Sequence, residues 1–230
     1  MLEGPWRRRG VLLAQLAATL AVLGSPLGNV PKLLVLLALW VATFWPIRLT
    51  EVGLFVAACF TFTALNTLAL QRGIFRFENP DWLGMPAFEL GMWGFYHVHT
   101  LRMFEGRAPG PPSWAVGVLA VVYAALFALI ADPMLLFAAS AAVLALALFV
   151  HHRPLDLGYA AYMTALGVLV ELVGTGTGQW SYPGQPPGGI PLWSVTLWGG
   201  VGFFVGRLVA PLAAWLGRRS APSPRPAIAS

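Results

Sequence analysis

Apolar runs of near-membrane length alternate with short turn-forming clusters along this chain. A bilayer span needs roughly 20 apolar residues, fewer where neighbouring helices cover it. Eight runs of this kind lie at about 10–26, 31–46, 51–70, 85–104, 113–131, 133–150, 156–174 and 190–216. The breaks between them are turn chemistry: Ser25-Pro26, Trp45-Pro46, Ala108-Pro109-Gly110-Pro111-Pro112, Asp132-Pro133 and Arg153-Pro154. Backbone within hydrocarbon must satisfy its own hydrogen bonds, so the runs predict helices. The expected fold is an all-α integral membrane protein with about eight transmembrane helices. Two connections are longer and rich in Gly and aromatic residues, 71–84 and 175–189.

Composition agrees with the pattern. The 230 residues are 58% apolar and only 10% charged, and mean hydropathy is +0.72. Soluble domains carry about 25% charged residues. The net charge of +5 is distributed as topology, which argues against nucleic-acid binding. With eight spans, Arg7, Arg8, Arg9, Arg48, Arg102, Arg107, Arg153, Arg207, Arg218, Arg219 and Arg225 share one side, and Lys32, Arg72 and Arg76 the other. That asymmetry predicts both termini in the cytoplasm of a multi-pass cell-membrane protein, with the two long connections outside. The first run has no clear small-x-small cleavage site and is expected to remain as a helix. The Pro-rich tail, 218–230, is expected to be disordered. Cys59 has no cysteine to pair with inside the chain.

Sliding the chain by 105 residues aligns its halves without a gap. Arg48 falls on Arg153, Gly53 on Gly158, Gly73 on Gly178, Gly84 on Gly189, Pro86 on Pro191, Trp93-Gly94 on Trp198-Gly199 and Arg102 on Arg207. Gly and Pro at fixed offsets signal matching backbone turns. The expectation is two tandem four-helix repeats in the same orientation, 1–107 and 108–217, with a site between them. The halves differ at telling positions. Asn66 corresponds to Glu171, and Glu89 to Ser194.

Ionisable groups within a membrane usually face a cavity or a partner. Glu171 and Glu89 fall at similar depth near the outer ends of their spans and are the candidate catalytic residues, Glu171 as the acid and Glu89 as a second acid/base or water-positioning group. A hydrogen bond to a loop amide, or contact with Arg72 or Arg76, is the simpler alternative. Asn66, Thr175, Thr177, Trp180 and Tyr182 are placed to orient substrate or acid. Trp93 and Trp198, at matched positions, could offer aromatic faces to a cation, although an interfacial aromatic belt explains many such residues. His97 shares a face with Glu89, Trp93 and Tyr96. His99, two residues on, points about 200° away, so the two cannot grip one metal. Glu51 with Arg102, and Asp156 with Arg207, are expected as one structural ion pair per half. The sequence holds no zinc signature, phosphate loop, Ser-His-Asp pattern or diphosphate-binding acidic motif, so neither metal nor cofactor is expected.

The run Glu171-x-x-Gly174-Thr175-x-Thr177-Gly178, then Trp180-x-Tyr182, Gly189-Ile190-Pro191-Leu192 and Trp198, resembles the membrane carotenoid hydratases of the bacterioruberin and γ-carotene type. The first copy, with Phe75-x-Phe77 and Gly84-Met85-Pro86-Ala87-Phe88-Glu89, looks more loosely like the heterodimeric-type lycopene cyclase domain. One acidic residue follows the proline here, where that family carries a pair. The resemblance implies a multispan enzyme of isoprenoid metabolism, acting without a cofactor on a hydrophobic polyene by acid-base hydration or cyclisation of its end group. A lipid-binding or transport protein on the same scaffold is the alternative class.

Overall fold

The computed structural model describes residues 5–111 and 113–219. The helices are α1 (Pro5–Leu23), α2 (Asn29–Phe44), α3 (Leu49–Gln71), α4 (Glu89–Met103), α5 (Trp114–Leu129), α6 (Pro133–Val150), α7 (Pro154–Gly176) and α8 (Leu192–Phe204). A π-helical turn, Val205–Val209, joins α8 to α9 (Ala210–Arg219). Two short strands, β1 (Arg76–Phe77) and β2 (Trp180–Ser181), lie in the two long connections. The protein is thus all-helical apart from this one strand pair among the described residues.

Four of these rods are long and apolar enough to cross a membrane: α3, α6, α7 and the continuous stretch Leu192–Leu216. The helices α2 and α5 are apolar but shorter. Large apolar side chains point outward, with Leu49 86% exposed, Phe60 78% and Phe149 80%. In water such a surface would aggregate, whereas hydrocarbon solvates it. The apolar helices therefore mark a membrane protein.

Several boundaries differ from the sequence expectation, each for a physical reason. The fourth helix begins at Glu89 and not at 85, because Leu83 and Gly84 take positive φ (53° and 78°) and Asp81 accepts the Ala87 N–H at 2.8 Å. That turn spends the apolar residues 85–88 on a buried corner. The last rod carries the π turn in its middle. It also continues through Arg218 and Arg219, so the helix extends into the segment expected to be a disordered tail. The rest of that segment, 220–230, lies outside the described residues.

The closest packing is α7 on α8 and α3 on α4, with α4 enveloped along its length. Positions 105 apart repeat the same local chemistry. Glu51 accepts the Arg48 N–H at 2.9 Å, and Asp156 accepts the Arg153 N–H at 3.1 Å. Each carboxylate then takes a bidentate guanidinium, Arg102 at 2.7 and 2.7 Å and Arg207 at 2.5 and 2.6 Å. The second pair is the more deeply buried. Between the strands, Arg76 pairs with Ser181, its counterpart at that same offset, and Phe77 with Trp180. The Arg76 Nε also donates to Ser181 Oγ at 3.1 Å.

Candidate active site

The carboxyl of Glu171 lies one turn short of the end of α7 and is buried among donors. Trp180 Nε1 donates to Oε2 at 2.9 Å, Tyr182 Oη donates to the same oxygen at 2.8 Å, and Trp198 Nε1 donates to Oε1 at 3.2 Å. Two glycines make this possible. Gly167 and Gly174 flank Glu171 on one face of α7, four residues before it and three after. The ring of Trp198 rests directly on Gly167 and that of Trp180 on Gly174, and a Cβ at either position would overlap the indole. Each ring is thereby seated low enough for its N–H to reach the carboxyl between them. Burial pushes the Tyr182 phenol well above its ordinary range, with the neighbouring Glu171 adding to the effect. Tyr182 therefore stays a neutral hydroxyl.

Glu89, in the first turn of α4, is less enclosed. Its one hydrogen bond comes from Asn66 Nδ2 of α3, to Oε1 at 3.0 Å. The Trp93 N–H approaches the carboxyl without reaching hydrogen-bond geometry and has no other partner. No Lys or Arg of the described residues forms an ion pair with Glu89 or Glu171. Arg76 pairs instead with Glu78 at 3.7 Å, and Arg72 lines the cavity edge without bonding either carboxyl.

Both carboxyls line one cavity of about 390 Å³ and are close enough to interact electrostatically. Its walls come from α3 (Phe62, Asn66, Ala69), α4 (Trp93, Tyr96, His97), α5 (Ala120, Tyr123, Ala124) and α8 (Trp193, Trp198, Val201). Phe75, Phe77, Trp180 and Tyr182 cover one end. His97 donates from Nδ1 to the Trp93 carbonyl at 2.8 Å, since a carbonyl can only accept. That bond fixes the tautomer and leaves the Nε2 lone pair facing the cavity with no hydrogen-bond partner among the described residues.

The structure thus brings Glu171, Glu89, Asn66, Trp180, Tyr182, Trp93, Trp198 and His97 to one place. Thr175 and Thr177 stand apart from it. Thr175 donates to the Glu171 and Gly188 carbonyls, at 2.8 and 3.1 Å, and so ties the loop back to the helix end. Thr177 is exposed and donates to the Val173 carbonyl at 2.6 Å. Both hydroxyl protons are thereby committed to backbone carbonyls of the helix end and the adjoining loop. The aromatic pair also serves differently from the sequence expectation. Trp93 is stacked between Phe62 (centroids 3.9 Å apart) and Trp198 (4.9 Å), so both its faces are covered. Trp198 in turn lies between Trp93 and Gly167. Neither can present a face to a cation, and they act as a rigid wall and, through Trp198, as a donor.

Three features had no sequence signal strong enough to find. The ring seats at Gly167 and Gly174 read as ordinary helix-packing glycines. Lys32 is buried, donates to Gln179 Oε1 at 2.7 Å and lies 5.3 Å from the Phe88 ring, so it ties α2 to the β2 connection. His99 bridges Gln15 Oε1 (2.9 Å) and Tyr162 Oη (2.5 Å), and Gln15 bonds Thr43. This separate, fully paired network crosses α1, α2, α4 and α7. No family model, characterised protein or solved structure matches the chain.

Proposed function

We propose that the chain is a membrane enzyme of isoprenoid metabolism, similar to the carotenoid hydratases and lycopene cyclases, that protonates the end of a hydrophobic polyene. The supporting observation is the pair of carboxyls in one mainly apolar cavity, neither neutralised by a cation and each with a different set of partners. Acid-initiated alkene chemistry needs a proton donor in a water-poor site and a negative group near the cation it creates.

The hydrogen-bond inventory favours separate roles. Indole N–H groups only donate, so the Trp180 and Trp198 contacts suit Glu171 as a fixed anion. Asn66 can offer Glu89 its amide N–H₂ or, after a flip, its carbonyl oxygen, so that pair accommodates either protonation state. Glu89 is therefore the proton donor in this reading and Glu171 the counter-ion, the reverse of the sequence preference for Glu171 as acid. In hydration the Glu89 O–H bond breaks as a C–H bond forms at the terminal alkene, leaving a tertiary cation. Water adds its oxygen to that carbon, and the excess proton returns to the Glu89 carboxylate. The sum is alkene plus water giving alcohol. In cyclisation an internal alkene attacks the cation and the same base removes a proton. A lipid carrier would have no use for two such carboxyls in its ligand cavity.

The proposal extends to topology. Eight spans arranged as two tandem four-helix repeats, both ends cytoplasmic, agree with the arginine distribution, the ion pair of each half and the Arg76–Ser181 pairing. The experiment is expression in hosts making lycopene or γ-carotene, with pigments separated by chromatography. New hydroxylated or cyclised pigments, lost in Glu89→Gln, are expected. Unchanged pigments with a folded protein would overturn the assignment.

A further inference from the structure

The cavity is long and polar at one end only. It follows α8 and the π turn from Trp193 to Val209, sixteen steps along the helix, or about 24 Å at the helical rise. That is most of the roughly 30 Å hydrocarbon thickness of a bilayer. Asn66, Glu89, Glu171 and Tyr182 gather toward the strand end, and His97 lies about two turns further along. Beyond His97 the lining along the last rod is apolar: Phe204, Val205, Leu208 and Val209.

The strand pair and its aromatic residues line one end, and beyond the other α9 packs against α3. The flank between α3 and α5 is different. Both helices line the cavity, yet they do not pack extensively on each other. On the proposed duplication, α5 corresponds to α1 and α3 to α7. There α1 does pack on α7, with Leu12, Leu16 and Leu23 buried. Gln15, also buried, adds its bond to His99. One of two matched gaps is thus filled by a helix, and the other is left as a cavity wall lined by Ala120, Ala124 and Ala128.

We propose that the α3–α5 gap is a lateral portal through which a long, linear, apolar chain slides in from the bilayer, lies along α8 and presents only its terminal unit to Glu89 and Glu171. This deepens the functional reading and rests on it for the chemistry at the terminal unit. The seating of the chain is a separate claim. A ligand site of this kind is mostly apolar, with a few polar groups fixing orientation. The site takes one end of a chain whose remainder must be free of polar groups, because nothing beyond His97 could pair with them.

The test uses the full chain purified from polyene-producing cells, with bound lipid extracted and identified by mass spectrometry. Wild type is expected to retain about one polyene per chain. Ala120→Trp and Ala124→Trp, which fill the gap, should lower retention at least tenfold, and the milder Ala124→Val should lower it less. Val121→Trp, on the outward face of α5, should leave it unchanged. Leu208→Trp, at the inner end, should exclude a full-length polyene while a short terpene with the same end group still binds. Unchanged retention in the gap variants overturns the portal, as does an equal loss in Val121→Trp. A diacyl phospholipid as the bound lipid overturns the chain class. Polyene bound but unaltered would refute the enzymatic reading and leave the seating intact. Polyene converted at undiminished rate by Ala124→Trp would do the opposite.

Discussion

Residues 62–93 and 167–198, which stand 105 positions apart and are matched halves on the proposed duplication, build opposite surroundings for position 66 and position 171. In the second half Glu171 sits between two glycines, with Trp180, Tyr182 and Trp198 donating to it. In the first, the same places hold Asn66 between Phe62 and Ala69, with Phe75, Phe77 and Trp93. The polar tips, the ring seats and the carboxylate are present together or absent together. Phe62 lifts Trp93 into a stack, and its N–H is left unpaired. Gly167 lets Trp198 sink, and its N–H is used. The lesson is that a buried carboxylate requires a set of cooperating changes, because a charge left without donors in a low-dielectric site is strongly destabilising.

The sharpest way to break the comparison is at the ion pairs beneath each half. Asp156→Ala strands a buried Arg207 and should lower stability by about 3–5 kcal/mol. The matched Glu51→Ala, in a more exposed pair, should cost clearly less. Thermal unfolding in detergent reads the difference. On activity, Glu89→Gln should reduce turnover by roughly 10²–10⁴-fold, with binding of the lipid retained. Gly174→Ala should displace Trp180 and cost about 1–3 kcal/mol through overpacking, whereas the mirror change Ala69→Gly should cost no more than about 1 kcal/mol. Tyr182→Phe removes one of three donors and should destabilise by about 1–3 kcal/mol. The smallest effect is expected for Trp93→Phe, since no hydrogen bond is lost. A large loss there would show that the first half uses its indole after all.

The helices were legible because apolar runs and Pro/Gly breaks are local signals. The Glu51–Arg102 and Asp156–Arg207 pairs were legible because ridge spacing and the 105-residue offset both pointed to them. The convergence of Glu89 and Glu171 followed from the same offset. The donor clamp was hidden, since nothing in the sequence says that Gly167 and Gly174 will each hold a ring. Thr175 and Thr177 misled because a hydroxyl in the last turns of a helix has a nearer partner, the carbonyl one turn back on its own helix. The π turn at Val205–Val209 leaves the apolar pattern unchanged and so gave no mark.

The apolar inner reach of the cavity has a consequence for the cell's energy supply. Glu89, Glu171 and His97 could form the first steps of a proton wire, and a wire that crossed the bilayer would short-circuit the gradient the membrane maintains. Along Phe204, Val205, Leu208 and Val209 a proton finds no next acceptor. On the proposed function, that stretch is the insulation and keeps proton exchange at the strand end of the cavity.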